Sequence, residues 1–256
     1  MSFQVTPIWM WKGSGNNYAY LLTCEKTRAS AIVDPAEPTA VLPVLQKKAD
    51  SKEIDLQYVL TTHHHSDHAG GNGAVSSIFP SAKVFGGKYA QAVTYTPKNK
   101  ETFKVGEVEV QALHTPCHTQ DSICYYVSTP SKRGVFTGDT LFTAGCGRFF
   151  EGDASEMHHA LNTVLASLPD DTITYPGHEY TKSNAKFASS VLSNPELTKL
   201  VDYCSKNEST TGKFTLGEEK QFNPFMHLDA PDVQKAVKST NPISIMNTLR
   251  TMKNKS

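Results

Sequence analysis

The chain lacks any apolar run approaching the ~20 residues that a membrane-spanning helix needs, which argues against a membrane protein. It also lacks an excess of charge. Lys+Arg and Asp+Glu stand at 25 each, so no global field draws the chain to nucleic acid or to an anionic membrane, and any anion recognition must be local. Paired cysteines are missing too: Cys24, Cys117, Cys124, Cys146 and Cys204 are odd in number and form no CxxC motif, which excludes a zinc ribbon and a dithiol redox couple. They read as reduced thiols of a cytosol-like compartment. There is no internal repeat and no low-complexity segment. Residues 1–11 carry neither a basic-then-apolar signal nor an Arg-rich, acid-poor transit stretch, so a cytoplasmic location is expected.

A length of 256 residues suits one large domain, or a large domain with a small companion, and either can bury a core. Short β-rich runs at 3–11, 17–23 and 31–33 read as consecutive strands. Residues 39–49 carry Val41, Val44, Leu45 and Ala49 at helical spacing, and a short strand at 58–61 runs directly into a histidine-rich segment. Further strands are expected at 83–85, 108–113, 123–127, 135–137 and 172–175, with a helix at 154–166. Strands and helices interleave without strict βαβ repetition. After residue 179 the pattern becomes helical at 181–192, 196–207 and 243–252, with an irregular stretch at 212–230. The expected organisation is α+β, with a catalytic domain over 1–178 and a small helical domain over 179–256.

The segment that follows the strand at 58–61 contains HxHxDH: His63, His65, Asp67 and His68 lie within six positions. Imidazole and carboxylate are the ligands that zinc and similar ions favour. In extended or looping backbone His63 and His65 project to one side, while Asp67 and His68 can turn to a second centre. The bland alternative is a solvated polar loop or a tag. A tag, however, would be terminal and would not set an Asp among the histidines or be followed by Ala-Gly-Gly-Asn.

Four ligands do not complete two sites, and three more candidates stand at strand ends. His118 lies in TPCHT; His114 competes for the role, but the turn at Pro116 places His118 better. Asp139 follows the apolar run ending in Phe136-Thr137-Gly138, and its two oxygens can bridge two cations. His178 lies in Pro176-Gly177-His178-Glu179. Alone, His118 or His114 would more often be structural, Asp139 would read as a turn residue or helix N-cap, and His178 would be an even bet. Together they make a binuclear site the better reading.

These residues resemble the metallo-β-lactamase superfamily, and within it the hydroxyacylglutathione hydrolases, the glyoxalase II family. The stretches that carry the resemblance are THHHSDHAGGN from Thr62, TPCHT from Thr115, FTGDTLFTAGCGRFFEG from Phe136, PGHEYT from Pro176 and the terminal LRTMK from Leu249. HxHxDH specifies only the superfamily; AGCGRFFEG and GHEYT specify the thioesterase family.

The resemblance implies a four-layer αβ/βα sandwich with a small C-terminal helical domain. It implies that His63, His65 and His118 hold one metal, that Asp67, His68 and His178 hold the other, and that Asp139 bridges them. It further implies that glutathione lies along Arg148, Phe149 and Phe150 and against Tyr180, near His178, with its glycine carboxylate at Arg250 and Lys253. Those two cations are i, i+3 on one helical face, as a single carboxylate-binding patch requires. The chain departs from many relatives at Phe150, where they have Tyr, and at Asp121-Ser122, where they have Gly-His.

The chemistry expected is hydrolysis of S-D-lactoylglutathione and related 2-hydroxyacylglutathiones to glutathione and a 2-hydroxy acid, the second step of methylglyoxal detoxification. Two divalent ions, zinc in the first place with iron or manganese also suited, would share a hydroxide that attacks the thioester carbonyl, and Asp67 and Asp139 would be the catalytic carboxylates. Gly145, Cys146 and Gly147 form a tight loop in which Cys146 packs and needs no covalent role. The expected partner is a small-molecule glutathione thioester, with no nucleic acid and no membrane, and the expected state is a monomer. Lactonase, β-lactamase, ribonuclease and one-iron persulfide dioxygenase are competing reactions on the same ligands. The intact set Asp67, His68 and His178 argues against the last, and the charge balance against a ribonuclease. A non-enzymatic scaffold that binds glutathione conjugates is the remaining alternative.

Overall fold

The computed structural model describes residues 2–256. Its contacts group into two compact units, one from the chain up to His114 with Asp121–Gly138, the other from Thr115–Gln120 with Asp139–Ser256.

In the first unit, β1 (Phe3–Met10), β2 (Asn17–Cys24) and β3 (Ala29–Val33) pair antiparallel in sequence. Helix α1 (Pro38–Asp50) then crosses to β4 (Asp55–Leu60), which runs parallel to β3. Two short helices, α2 (Ser66–Ala69) and α3 (Asn72–Ile78), lead to β5 (Lys83–Phe85), parallel to β4, so the sheet order is β1-β2-β3-β4-β5. All five residues of β3 are buried, as suits a strand with a neighbour on each side, β2 antiparallel and β4 parallel. Helix α1 starts with Pro38 in its first turn, where the missing N–H costs no hydrogen bond, and ends on Lys47 and Lys48. Its buried Val41 and Leu45, one turn apart, pack on Leu21, Ile32 and Val59 of the sheet.

The same unit continues through β6 (Thr102–Val105), β7 (Val108–His114), β8 (Ile123–Thr129) and β9 (Lys132–Gly138), consecutive antiparallel neighbours. Tyr20 of β2 and Phe136 of β9 meet with ring centroids 5.4 Å apart, which ties the two sheets of the unit together. Tyr125 of β8, fully buried, satisfies its hydroxyl by donating to the Thr61 carbonyl at 3.1 Å, as a buried phenol must.

The second unit opens with the hairpin β10 (Leu141–Phe142) and β11 (Gly145–Cys146). Helix α4 (Ala154–His158) follows, continues as a π-helical stretch over His159–Val164 and closes in a 3-10 turn at Leu165–Ser167. The single helix expected at 154–166 is therefore present as a rod whose hydrogen bonding changes along its length. Next come β12 (Ile173–Pro176), α5 (Thr181–Ala188), α6 (Pro195–Lys206), α7 (Leu216–Phe222), α8 (Pro231–Val237) and α9 (Pro242–Lys253). Asp153 and Thr215 each form a capping box with the Glu three residues on, at α4 and α7. Helix α7 falls within 212–230, expected to be irregular: it is only seven residues long and holds Gly217, so the helical signal there is weak. Among the described residues no helix is long and apolar enough to cross a membrane.

Candidate metal centre

Each unit presents His and Asp side chains of a kind that could hold a metal ion. In the first unit the backbone leaving β4 is seized by Asp34, the residue after β3. Asp34 Oδ1 accepts the Thr62 amide at 2.8 Å, and Oδ2 accepts the Thr62 hydroxyl at 2.7 Å and Nδ1 of His68 at 2.9 Å. Since Nδ1 of His68 donates, its Nε2 carries the lone pair. Nδ1 of His63 lies 3.1 Å from Thr62 Oγ1, whose own proton goes to Asp34, so His63 is oriented in the same way. This is the outer-shell carboxylate that fixes tautomer and ring direction of a metal-binding histidine. Asp67 is held from the other side by Asn17, whose amide donates to its Oδ2 at 2.9 Å and to its carbonyl at 3.0 Å.

The loop closes tightly because it contains Gly70-Gly71. A Cβ on Gly71 would lie 1.8 Å from the carbonyl oxygen of Pro35, so only glycine lets the loop press against the chain beside Asp34. Nε2 of His63 and Nδ1 of His65 approach to 3.1 Å, with ring centroids 4.8 Å apart. Two ligand atoms at metal bonds of 2.0–2.1 Å in a tetrahedron sit about 3.3 Å apart, so this spacing fits a shared ion.

In the second unit Nδ1 of His118 donates to the Arg148 carbonyl at 2.9 Å, which directs its Nε2 to Asp139 Oδ2 at 3.4 Å. Nε2 of His178 lies 3.4 Å from the other oxygen, Asp139 Oδ1. Both separations exceed the normal hydrogen-bond range and match the edge of a metal polyhedron. Asp139 thus turns one oxygen to each of two imidazoles. His63, His68, His118 and His178 are buried, and imidazole with carboxylate is a donor chemistry that suits divalent metals.

Two histidines are engaged elsewhere. Nε2 of His114 bonds the Pro97 carbonyl at 2.8 Å. His64 is bound through Nδ1 to Asp121 Oδ1 at 2.8 Å, so the departure at Asp121 supplies a partner for the middle histidine of the triplet.

The second unit also contains a cavity of about 310 Å³ whose walls include Phe142, Arg148, Tyr180, Ser183, Arg250 and Lys253. It carries three cations and, among the described residues lining it, no acidic side chain. Arg250 is only 8% exposed; its Nη1 donates to the Cys146 carbonyl at 2.7 Å and its buried Nε has no hydrogen-bond partner. Nζ of Lys253 donates to Ser183 Oγ at 2.8 Å, and partial burial together with the nearby Arg250 lowers its pKa. Tyr180 stacks on His178 with centroids 4.5 Å apart, which connects the cavity wall to His178. Phe149 is half-buried, while Phe150 is 60% exposed with its ring 5.1 Å from that of His118. Burial pushes the Cys146 thiol up to about 12, so it is an inert packing group at neutral pH.

Sequence reasoning misses Asp34, Asn17, Ser183 and the buried polar residues behind the hairpin. Asp34 stands directly after the buried strand β3, as Asp139 stands directly after β9, but a lone acid at such a place reads equally as a turn residue.

Comparison with known proteins agrees with this picture. The Metallo-beta-lactamase superfamily model matches residues 13–178, and the model for the hydroxyacylglutathione hydrolase C-terminus matches residues 179–256. A crystal structure of ETHE1 from Myxococcus xanthus superimposes with a TM-score of 0.69 at 27% identity, covering 98% of this chain and 91% of that one. The fold is therefore the α+β metallo-β-lactamase fold. A probable hydroxyacylglutathione hydrolase of Schizosaccharomyces pombe is 73% identical over 99% of both chains. The cytoplasmic isozyme of hydroxyacylglutathione hydrolase from Saccharomyces cerevisiae is 46% identical over 96% of both, and its mitochondrial counterpart 44% identical over 99% of this chain and 96% of the relative. The chain belongs to the hydroxyacylglutathione hydrolase family of the metallo-β-lactamase superfamily.

Proposed function

We propose that this chain hydrolyses S-D-lactoylglutathione and related 2-hydroxyacylglutathiones to glutathione and a 2-hydroxy acid, the second step of methylglyoxal detoxification. The observation that carries this reading is Asp139, whose two oxygens each face an imidazole at 3.4 Å. His63, His65 and His118 would hold one ion, Asp67, His68 and His178 the other, with Asp139 common to both. Two divalent ions, zinc in the first place, with iron or manganese suited to the same donors, would supply Lewis acidity that makes water nucleophilic near neutral pH and polarises the carbonyl.

The chain's own residues do the rest. Arg250 and Lys253 bind the glycine carboxylate, a reading supported by their common cavity and by the unpartnered Nε of buried Arg250. Arg148, Phe149 and Phe150 with Tyr180 form the wall along which the tripeptide lies. Phe150 has no hydroxyl, so it contributes ring contact where a Tyr would add a hydrogen bond. Asp67, steadied by Asn17, orients the attacking water. The water oxygen joins the acyl carbon and gives up a proton to solvent, the carbon–sulfur bond breaks, and the sulfur leaves with the bonding pair as glutathione thiolate.

We assign residues 1–178 to catalysis and 179–256 to substrate binding, and support for that boundary comes from the two family models that meet there. A monomer suffices, since all seven donors come from one chain. A cytoplasmic location follows the 46% identical isozyme; fractionation tests it against the mitochondrial alternative. The function is tested by thiol release from S-D-lactoylglutathione: turnover by the metal-loaded protein and loss of about a thousandfold or more in Asp139→Ala are expected. Equal rates in the two would overturn the reading.

A further inference from the structure

Helix α7 buries a carboxyl that hydrolysis does not use. Glu219 has no exposed surface. Its Oε2 accepts the Ala144 amide at 3.0 Å and Asn223 Nδ2 at 2.9 Å, while its Oε1 is buried with no hydrogen-bond partner. Asn223, one turn further along and equally buried, aims the same Nδ2 at the Phe142 and Gly145 carbonyls, at 3.3 and 3.1 Å. From α5, Asn184 donates to the Thr143 carbonyl at 3.1 Å.

Every residue from Phe142 to Gly145 is therefore held through its backbone by a buried side chain. The grip is needed because Ala144 sits at φ 56°, a left-handed conformation that a residue with a Cβ adopts only when its surroundings enforce it. The front of the same hairpin faces the cavity. Phe142 packs edge-on against Tyr180 at 5.3 Å, and the Cys146 carbonyl anchors Arg250 at 2.7 Å.

Burying a carboxyl with one oxygen unsatisfied is unfavourable, and an apolar side chain would fill the interior at lower cost. The group's distinctive contribution is a fixed acceptor for the Ala144 amide. Burial pushes its pKa up to about 8, so at neutral pH it is mainly the uncharged acid and provides that acceptor without placing a negative charge behind the cationic cavity.

We propose that Glu219 and Asn223 are positioning residues for substrate recognition: they fix the 141–146 hairpin so that Arg250 is presented to the substrate's glycine carboxylate. The inference rests on the thioester reading above and extends it to a buried layer behind the cavity.

The test compares kcat and KM of Glu219→Leu and Glu219→Gln on S-D-lactoylglutathione and on the S-lactoyl thioester of γ-glutamylcysteine, which lacks the glycine carboxylate. Glu219→Leu should raise KM for the full substrate about tenfold with kcat within about threefold, leave KM for the truncated one within about twofold, and speed exchange of the Ala144 amide. Glu219→Gln, which keeps an acceptor oxygen, should stay within about threefold of wild type on both. A uniform fall in kcat on both substrates at unchanged KM would mean a merely structural role and overturn the proposal. Should Glu219→Leu not fold, Asn223→Ala carries the same expectation. If the wild type cleaves neither thioester, the hydrolase reading fails by itself, and the positioning role is read from calorimetric binding of glutathione. An unchanged Kd in the variant would then overturn it.

Discussion

Asp34 holds His68: its Oδ2 takes the Nδ1 proton at 2.9 Å, and the same carboxylate binds the Thr62 amide and hydroxyl. One side chain thus sets both the direction of an imidazole and the path of the loop that carries the other donors. Asp34→Ala should lower metal affinity about 10–100-fold, measured by competition with a chelator, while the far-ultraviolet circular dichroism stays native. Unchanged affinity would show that the imidazole needs no orienting partner.

The loop's approach to Pro35 gives a second expectation. Gly71→Ala introduces a Cβ that would sit 1.8 Å from a backbone oxygen, and backbone on both sides leaves no flexible group to yield. A loss of about 2 kcal/mol or more is expected, read as a fall of several degrees in Tm, with weaker metal retention. A variant as stable as wild type would contradict the geometry.

The cationic cavity predicts a change in KM rather than kcat. Arg250→Ala removes a buried charge-assisted contact of about 1.5–3 kcal/mol, so KM for the glutathione thioester should rise about 10–100-fold with little effect on kcat. Lys253→Ala, at a more exposed cation, should cost less. Arg250→Lys should not rescue fully, since an ammonium cannot reach both the Cys146 carbonyl and a carboxylate in the planar geometry of a guanidinium. A fall in kcat alone would place Arg250 outside substrate binding.

Glu219 predicts a pH dependence of stability. Its carboxyl is raised to about 8 in the folded protein from an ordinary value of 4.5, mainly by burial, with Glu218 as the charged neighbour that adds to the shift. The folded state therefore holds the proton more tightly than the unfolded chain. The stabilisation of the neutral form is complete below pH 4.5 and is lost as pH rises toward about 8, with a slope of about 1.4 kcal/mol per pH unit at most. Urea unfolding at pH 6, 7 and 8 should show this decline in wild type and lack it in Glu219→Gln. Parallel curves for the two would contradict it.

Much of this architecture is legible in the sequence because most donor loops follow short apolar strands. β4, β7, β9 and β12 end just before His63, His118, Asp139 and His178, and hydrophobic runs broken by Thr, Pro or Gly announce such ends. Asp34 is not legible, since a lone acid between Val33 and Pro35 reads equally as a turn residue. Glu218 and Glu219 show the limit most clearly. They are chemically identical neighbours, yet one turns outward to cap α7 and the other is sealed inside. Only the phase of a seven-residue helix separates them, and so short a helix leaves too few apolar positions to fix that phase from sequence. The π-helical stretch at 159–164 escapes notice for a similar reason, because its residues suit an α-helix.

The central claim is that two metal ions, held by donors from one chain, act together in thioester hydrolysis. The most direct test titrates metal-free protein with zinc while following S-D-lactoylglutathione cleavage and bound metal per chain. Activity should track the second equivalent, reach its plateau at two ions per chain, and be absent at that loading in Asp139→Ala. Full activity at one equivalent, or none at two, would contradict the account.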